Sequence, residues 1–188
     1  MRALVKTVTV KVTNGAVAMG FTNSGELPRG QRHRDSSNRP GTRIDAGSAS
    51  SYTDSIGDIW GADSGFVGGT KVNRGAISIA NTTDPALYQT EHHGMSSFST
   101  AVPNGNYVVY LHFAETSKVI TGAGQRIFNV SVNGVTINGL DVYAQAGGKF
   151  NAMTKSVTVK VTSGTLPIAF TTVVNNPEIN AIEVVATN

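Results

Sequence analysis

Apolar and polar residues alternate along several short stretches of the chain. In Ser156–Val161 every second residue is valine, which is the period of a strand with one buried face. No long segment shows the 3.6-residue apolar period of an amphipathic helix. The same kind of pattern predicts four strands: Tyr107–Phe113, Ile127–Val132, Ser156–Val161 and Ile179–Val185.

Turn-forming residues separate these strands. Asn-Gly at 133–134, Ser-Gly at 163–164 and Pro-Asn-Gly-Asn at 103–106 are typical of tight connections between antiparallel strands. Many short strands with regular turns indicate an all-β protein, an antiparallel β-sandwich or jelly roll.

The composition and charge of the chain exclude several kinds of site and function. The 188 residues contain no cysteine, so disulfides and cysteine zinc sites are excluded. A net charge of +3 is too weak to indicate nucleic-acid binding. No apolar run approaches the roughly 20 residues that span a membrane. Met1 leads directly into a strand-like pattern, so we expect that any secretion signal of the parent protein lies outside this chain.

The sequence contains an internal repeat with a spacing of one whole domain. Lys6–Thr22 matches Lys155–Thr171 at an offset of 149 residues, with ten of 17 positions identical. Residues 1–22 are therefore interpreted as the tail strands of a preceding, truncated copy, and residues 43–188 as the complete domain. Lys6–Phe21 is predicted to form a hairpin that adds to a sheet in this chain or in a neighbour, which favours a homodimer.

Residues 23–42 form the linker between these parts. Read one base later, codons allowed for Asn23–Ser36 can encode a match to Thr172–Val185, so one hypothesis is an out-of-frame remnant of the preceding copy's last strand. In that case the arginines of the linker are not a binding patch. The alternative is an ordinary linker rich in proline, glycine and arginine.

The segment Ala86–Glu115 carries the first candidate chemistry. His92 and His93 are adjacent in a strand-like stretch and point to opposite faces, which disfavours a shared metal ion. Glu91 and Glu115 are a candidate acid–base pair of the kind glycosidases use. The favoured interpretation is that both accept hydrogen bonds from the backbone or from Arg126.

The second candidate is Trp60, the only tryptophan. An exposed aromatic beside polar groups suits a pyranose ring, whereas a buried one would fill the core of the sandwich; the sequence leaves both open. Asp54, Asp58 and Asp63 surround it and are candidate ligands of a structural calcium ion, although their spacing is not that of an EF-hand.

Seven segments, taken together and in order, resemble malectin-like domains, a family of carbohydrate-binding modules. The match covers about 145 residues, and its segments are RIDAGS (43–48), DIWGADSGF (58–66), ALYQTEHHG with SF (86–98), GNYVVYLHFAE (105–115), QRIFNVSVNG (125–134), GLDVY (139–143) and NNPEINAIEV (175–184). The resemblance implies a galactose-binding-like jelly roll that binds glucose-containing oligosaccharides through loops at one end, without catalysis. It also implies a secreted bacterial glycoside hydrolase as the parent protein.

The family's sugar-binding positions carry different residues here. The aromatic that ends the YQTER stretch is replaced by His93, and the aromatic pair after FAE by Ser117 and Lys118. Asn175 stands in place of an aspartate, and a further tyrosine falls near Lys71. The predicted carbohydrate-binding residues are Trp60, Lys71, Glu91, His92, His93, Ser117, Lys118, Tyr143 and Asn175.

The sequence thus predicts a non-catalytic, extracellular module that binds a plant-type or glucose-containing polysaccharide and requires no cofactor. An aromatic set made of Trp60 with Tyr143 or Phe150 is an alternative platform for another glycan. The alternative function is a structural or protein-interaction sandwich that has lost sugar binding.

Overall fold

The computed structural model of the protein describes residues 41–187. The predicted hairpin Lys6–Phe21 and almost all of the linker lie outside the described residues. A 3₁₀ turn spans Pro85–Tyr88, and one short helix, α1, spans Val142–Ala146. The strands are β1 (Gly41–Asp45), β2 (Tyr52–Thr53), β3 (Ile59–Trp60), β4 (Phe66–Asn73), β5 (Thr90–Ala101), β6 (Gly105–Phe113), β7 (Ile127–Val132), β8 (Val135–Leu140), β9 (Met153–Val161), β10 (Thr165–Val174), β11 (Glu178–Ile179) and β12 (Ala181–Thr187).

Two antiparallel sheets form the sandwich that the sequence predicts. The first has the strand order β1-β12-β6-β9. The second has the order β11-β5-β10-β7-β8, and β4 also pairs with β5. The strands β2 and β3 form a small separate ladder. The predicted strands at Tyr107–Phe113, Ile127–Val132 and Ser156–Val161 are confirmed as β6, β7 and β9.

The core lies between the inner faces of the two sheets. In β9 the buried positions are Val157, Val159 and Val161, with exposed residues between them. Alternate residues of β6, β7 and β10 face the same interior, including the fully buried Phe113 and Phe128. The valine alternation in the sequence therefore marks the inner face of a sheet, as expected for a sandwich.

The Asn-Gly turn at 133–134 is confirmed and closes the β7–β8 hairpin. Both residues have positive φ, 45° and 89°, which is the backbone of the two-residue turn that matches the twist of antiparallel strands.

The predicted strand Ile179–Val185 is divided at Asn180, which corrects the sequence interpretation. Residues before Asn180 pair in the second sheet and residues after it pair in the first. Asn180 is fully buried, its amide oxygen accepts from the Ala114 N–H at 2.6 Å, and its amide nitrogen donates to the Thr90 carbonyl at 2.7 Å. The side chain satisfies backbone groups that the crossing would leave unpaired. Among residues 41–187, no helix is long and apolar enough to cross a membrane.

Candidate functional site

Strand pairing brings several predicted site residues to one end of the sandwich. β4 and β11 flank β5, so that Lys71 lies opposite His92, and Glu178 lies opposite His93. The turn at 175–177 is fixed to β5 by a hydrogen bond from the Gly94 N–H to the Pro177 carbonyl, at 2.8 Å. The loop after β6 supplies the remaining residues. We call this region the loop end; its surface residues are His93, Lys118 and Asn175. The predicted site residue Ser117 is buried. Lys71 is exposed, but its ammonium group pairs with Asp63 at 3.1 Å, on the face that carries His92.

Two buried ion pairs hold the loop end in place. Arg126 donates from Nε to Glu115 Oε2 at 2.8 Å, and from Nη1 to the Asn176 carbonyl at 2.7 Å. This one side chain therefore ties the loop after β6 to the turn after β10. Glu115 also accepts from the Ser117 N–H at 2.9 Å, which fixes the loop beside Lys118.

The second pair joins β4 and β5. Arg74 donates from Nη2 to Glu91 Oε1 at 2.5 Å, and Thr116 donates to Glu91 Oε2 at 2.5 Å. Glu91 and Glu115 are each only 1% exposed. The prediction that the glutamates accept from the backbone or from Arg126 is confirmed for Glu115, which binds both. Glu91 is also hydrogen-bonded, but its partners are Arg74 and Thr116.

A third carboxyl, Glu178, completes this cluster. It is fully buried, and both of its oxygens lack a hydrogen-bond partner. Burial, followed by the nearby charges of Glu91 and Glu115, raises the pKa of Glu178 well above its ordinary value. Burial also raises the pKa of Glu115, against the opposing effect of Arg126. Three acids and two guanidinium groups balance when Glu178 is protonated, so the cluster is neutral with this group uncharged.

His93 lies above the cluster and is half-buried. Burial lowers its pKa, and the neighbouring Arg126 lowers it further. The imidazole is therefore neutral at pH 7, with one nitrogen that donates and one that accepts. This is the donor–acceptor pair that a sugar hydroxyl group can use.

His92 faces the opposite way, as adjacent strand residues should. Its Nδ1 lies 2.7 Å from Asp63 Oδ2, its Nε2 lies 2.9 Å from the Gly68 carbonyl, and its ring stacks on Phe66. Both partners are acceptors, so both nitrogens donate only in the imidazolium form. His92 is 5% exposed and holds the β4–β5 ladder together. The prediction that it contacts a glycan is therefore wrong.

The tryptophan prediction also needs correction. Trp60 is 3% exposed, belongs to a buried cluster with Tyr88 and Leu87, and contacts His112 edge to face. Its Nε1 donates to Asp54 Oδ2 at 3.0 Å. The ring fills a core, which is the second of the two interpretations, and offers no face to a sugar.

The three aspartates near Trp60 have separate partners. Asp54 caps the Asp58 N–H, Asp58 pairs with Arg43 at 2.9 Å, and Asp63 binds His92. Within residues 41–187, no group of three His, Asp or Glu side chains is arranged to hold a metal ion. In this arrangement each of the three carboxylates is bound by groups of the protein itself.

The prediction that Glu91 contacts a glycan also needs correction. Glu91 is buried beneath Thr116, so it supports the loop end and does not reach its surface. Tyr143 lies on α1, which packs against β9 and not on the strands that carry His93. Sequence reasoning overlooked Arg74 and Glu178. One feature of the sequence could have indicated Glu178: it follows the Asn-Asn-Pro turn immediately.

The two packed antiparallel sheets define the class of this domain as a β-sandwich. Residues 41–183 match the Malectin domain family. The chain belongs to this family. It is 33% identical over 174 residues to receptor-like protein 4 of Arabidopsis thaliana, and the match covers 78% of this chain and 27% of that protein. The chain thus spans about a quarter of the length of this relative.

Solved structures show the same fold. A β-glucuronidase of Bacteroides uniformis superposes with a TM-score of 0.72 at 21% identity, over 79% of this chain and 18% of that one. The ANXUR2 extracellular domain of Arabidopsis thaliana superposes with a TM-score of 0.68 at 17% identity, over 78% of this chain and 48% of that one.

Proposed function

We propose that the chain is a non-catalytic carbohydrate-binding module and that the loop end holds the glycan. The observation that carries the proposal is the neutral, half-exposed His93 on β5, beside the turn at residues 175–177 and fixed from below by the Arg126–Glu115 and Arg74–Glu91 ion pairs. A rigid set of neutral and cationic donors suits sugar hydroxyl groups. The surface is shallow, so we expect modest affinity.

The burial and ion pairing of the two candidate acids support binding without catalysis. Glycosidases need carboxyl groups that reach the scissile bond. Glu91 and Glu115 are 1% exposed, and each is held by an arginine. Their hydrogen bonds are used to position loops.

The ligand in this proposal is a plant-type or glucose-containing polysaccharide, and the parent is a secreted bacterial glycoside hydrolase. Two observations support the parent: the 149-residue repeat indicates tandem modules, and the matching part of the B. uniformis enzyme is 18% of that chain. An extracellular location is supported by the ANXUR2 domain, which is itself extracellular.

Affinity electrophoresis in gels that contain β-glucan, xylan, xyloglucan, starch or galactan tests the proposal. Retardation by at least one polysaccharide is expected, with an affinity about tenfold weaker in His93→Ala than in the wild type. Lys160→Gln is the matched control, because Lys160 is exposed on β9. Equal mobility of wild type and His93→Ala in every gel that retards the protein would refute the role of the loop end.

The alternative is a protein-interaction sandwich. It is supported by the replacement of aromatic residues at Lys71, His93, Ser117 and Lys118, and by the receptor-like relative. Unchanged mobility in every gel would favour it. Pairing of two chains through the N-terminal strands stays a prediction, which sedimentation velocity of the whole chain and of a chain beginning at residue 41 would test.

A further inference from the structure

The exposed charge of residues 41–187 is of one sign. This part of the chain has ten acidic side chains and eight basic ones. All ten acids are buried or partly buried, and all except Glu178 bind arginines, backbone N–H groups or hydroxyl groups inside the fold. The exposed charged residues in this part of the chain are three lysines, Lys71, Lys118 and Lys160, whereas Lys149 and Lys155 are partly buried. The ammonium groups of these three lysines are the fully exposed charges that an anionic ligand can reach.

Phe150 is an unusual residue beside the loop end. Four non-glycine residues in the described part of the chain have positive φ, and three of them are asparagines, which tolerate this backbone. The fourth is Phe150, with φ 59°. A bulky residue in this conformation is strained, and strain of this kind is retained where surrounding structure enforces it, often at ligand sites.

Two backbone hydrogen bonds enforce the position of Phe150. Its N–H donates to the Glu115 carbonyl at 3.0 Å, and its carbonyl accepts from the Ala80 N–H at 2.7 Å. The first bond places Phe150 directly against the loop that carries Ser117 and Lys118. Its side chain is nevertheless 37% exposed, so the strain does not serve to bury the ring in a core.

Lys149 adds a cation at the same place. Its ammonium group lies 5.1 Å from the centroid of the Phe150 ring. The ammonium group lies over one face of the ring. The other face of the ring and the neighbouring cation together match a sugar that has an apolar ring face and an anionic substituent at its edge. Hexuronic acids have this form, because their carboxylate is attached at C5, on the periphery of the pyranose ring.

We propose that Phe150 and Lys149 form a subsite for a uronic acid residue of an acidic glycan, with Phe150 as the stacking platform and Lys149 as the carboxylate partner. The subsite deepens the proposed function and rests on it. The loop to which the Phe150 N–H is hydrogen-bonded also carries Lys118, which adds an exposed ammonium group.

Affinity electrophoresis of the whole chain against alginate and against its carboxyl-reduced, neutral form tests this subsite, and dextran sulfate serves as a general polyanion. Three variants are compared. Phe150→Asn removes the ring and relieves the backbone strain, so we expect an affinity for alginate at least tenfold lower and a Tm about 2–4 °C higher. Lys149→Gln should weaken alginate binding several-fold. Lys160→Gln is the matched control for the loss of one exposed positive charge, and should change affinity less than twofold.

The outcomes separate this inference from the proposed function. Retention by alginate but not by the neutral form, lost in Phe150→Asn with the fold intact, supports the subsite. Alginate binding that is unchanged in Phe150→Asn, equal retention by dextran sulfate, or retention only by neutral glycans overturns the subsite while carbohydrate or anion binding stands. The absence of retention by any of these polymers or by those in the previous panel overturns both.

Discussion

Replacing Arg126 by methionine tests the account of the loop end most directly. Arg126 is 2% exposed and binds Glu115 at 2.8 Å and the Asn176 carbonyl at 2.7 Å. Methionine keeps much of the apolar stem and removes the charge and both hydrogen bonds. Loss of one partner of a buried ion pair typically destabilises a protein by about 3–5 kcal/mol, because the remaining charge stays buried. We expect a loss of that size at pH 7.

The loss should depend on pH in a defined direction. Without Arg126, the pKa of Glu115 rises further above its ordinary value, because burial remains while the attraction that lowered the pKa is gone. A carboxyl whose pKa is raised in the folded state destabilises that state as the pH rises above its unfolded pKa. The variant should therefore lie closer to the wild type at pH 4.5 than at pH 7.

Urea unfolding at both pH values, followed by Trp60 fluorescence and circular dichroism, measures the effect. Trp60 is a suitable reporter because it is buried in the folded chain. The double variant Arg126→Met/Glu115→Gln should recover more than half of the stability lost at pH 7, since no buried charge is left unpaired. A loss below about 1 kcal/mol, or an equal loss at the two pH values, would contradict a charged Arg126–Glu115 pair as the anchor of the loop end.

Three further predictions concern other buried groups. Burial raises the pKa of Asp45 to about 6, so its ionisation should lower wild-type stability by about 2 kcal/mol as the pH rises from 4 to 6. Asp45→Asn, which keeps an acceptor for Thr90, should remove this contribution to the slope in urea unfolding. Glu178→Gln should flatten the loss of stability at higher pH, because the raised pKa of Glu178 makes its ionisation costly in the folded state; an unchanged profile would contradict a neutral Glu178. Trp60→Phe should lower stability by about 1–2 kcal/mol through the lost hydrogen bond to Asp54 and leave glycan retention unchanged; a loss of retention without loss of stability would restore Trp60 as a binding residue.

The sequence predicted the sandwich because its signals are local. The valine alternation of β9 and the Asn-Gly turn before β8 depend only on neighbouring residues, and both are confirmed. The strand across Ile179–Val185 was predicted without its break, because Asn180 is an ordinary polar residue until its amide meets Ala114 and Thr90 from distant parts of the chain.

The site was predicted less completely. The positions of Lys71, His93, Lys118 and Asn175 followed from ordered motifs. Strand pairing places Lys71 and His93 on adjacent strands, and Arg126 ties the loop after β6 to the turn after β10. The exposure of Trp60 was open in the sequence, because a tryptophan among aspartates is found both in cores and on sugar-binding surfaces.

By itself, the amino-acid sequence determined the all-β class, the alternation that defines the core and the family of the domain. The tertiary structure decided which charges are buried and which remain outside. Glu91, Glu115 and Glu178 are separated by up to 87 positions, yet two arginines and one proton make their cluster neutral inside the fold. Pairing between distant residues has no period along the chain. For that reason two features depend on the folded structure: the exposed charges of residues 41–187 are all lysines, and Phe150 has a strained backbone.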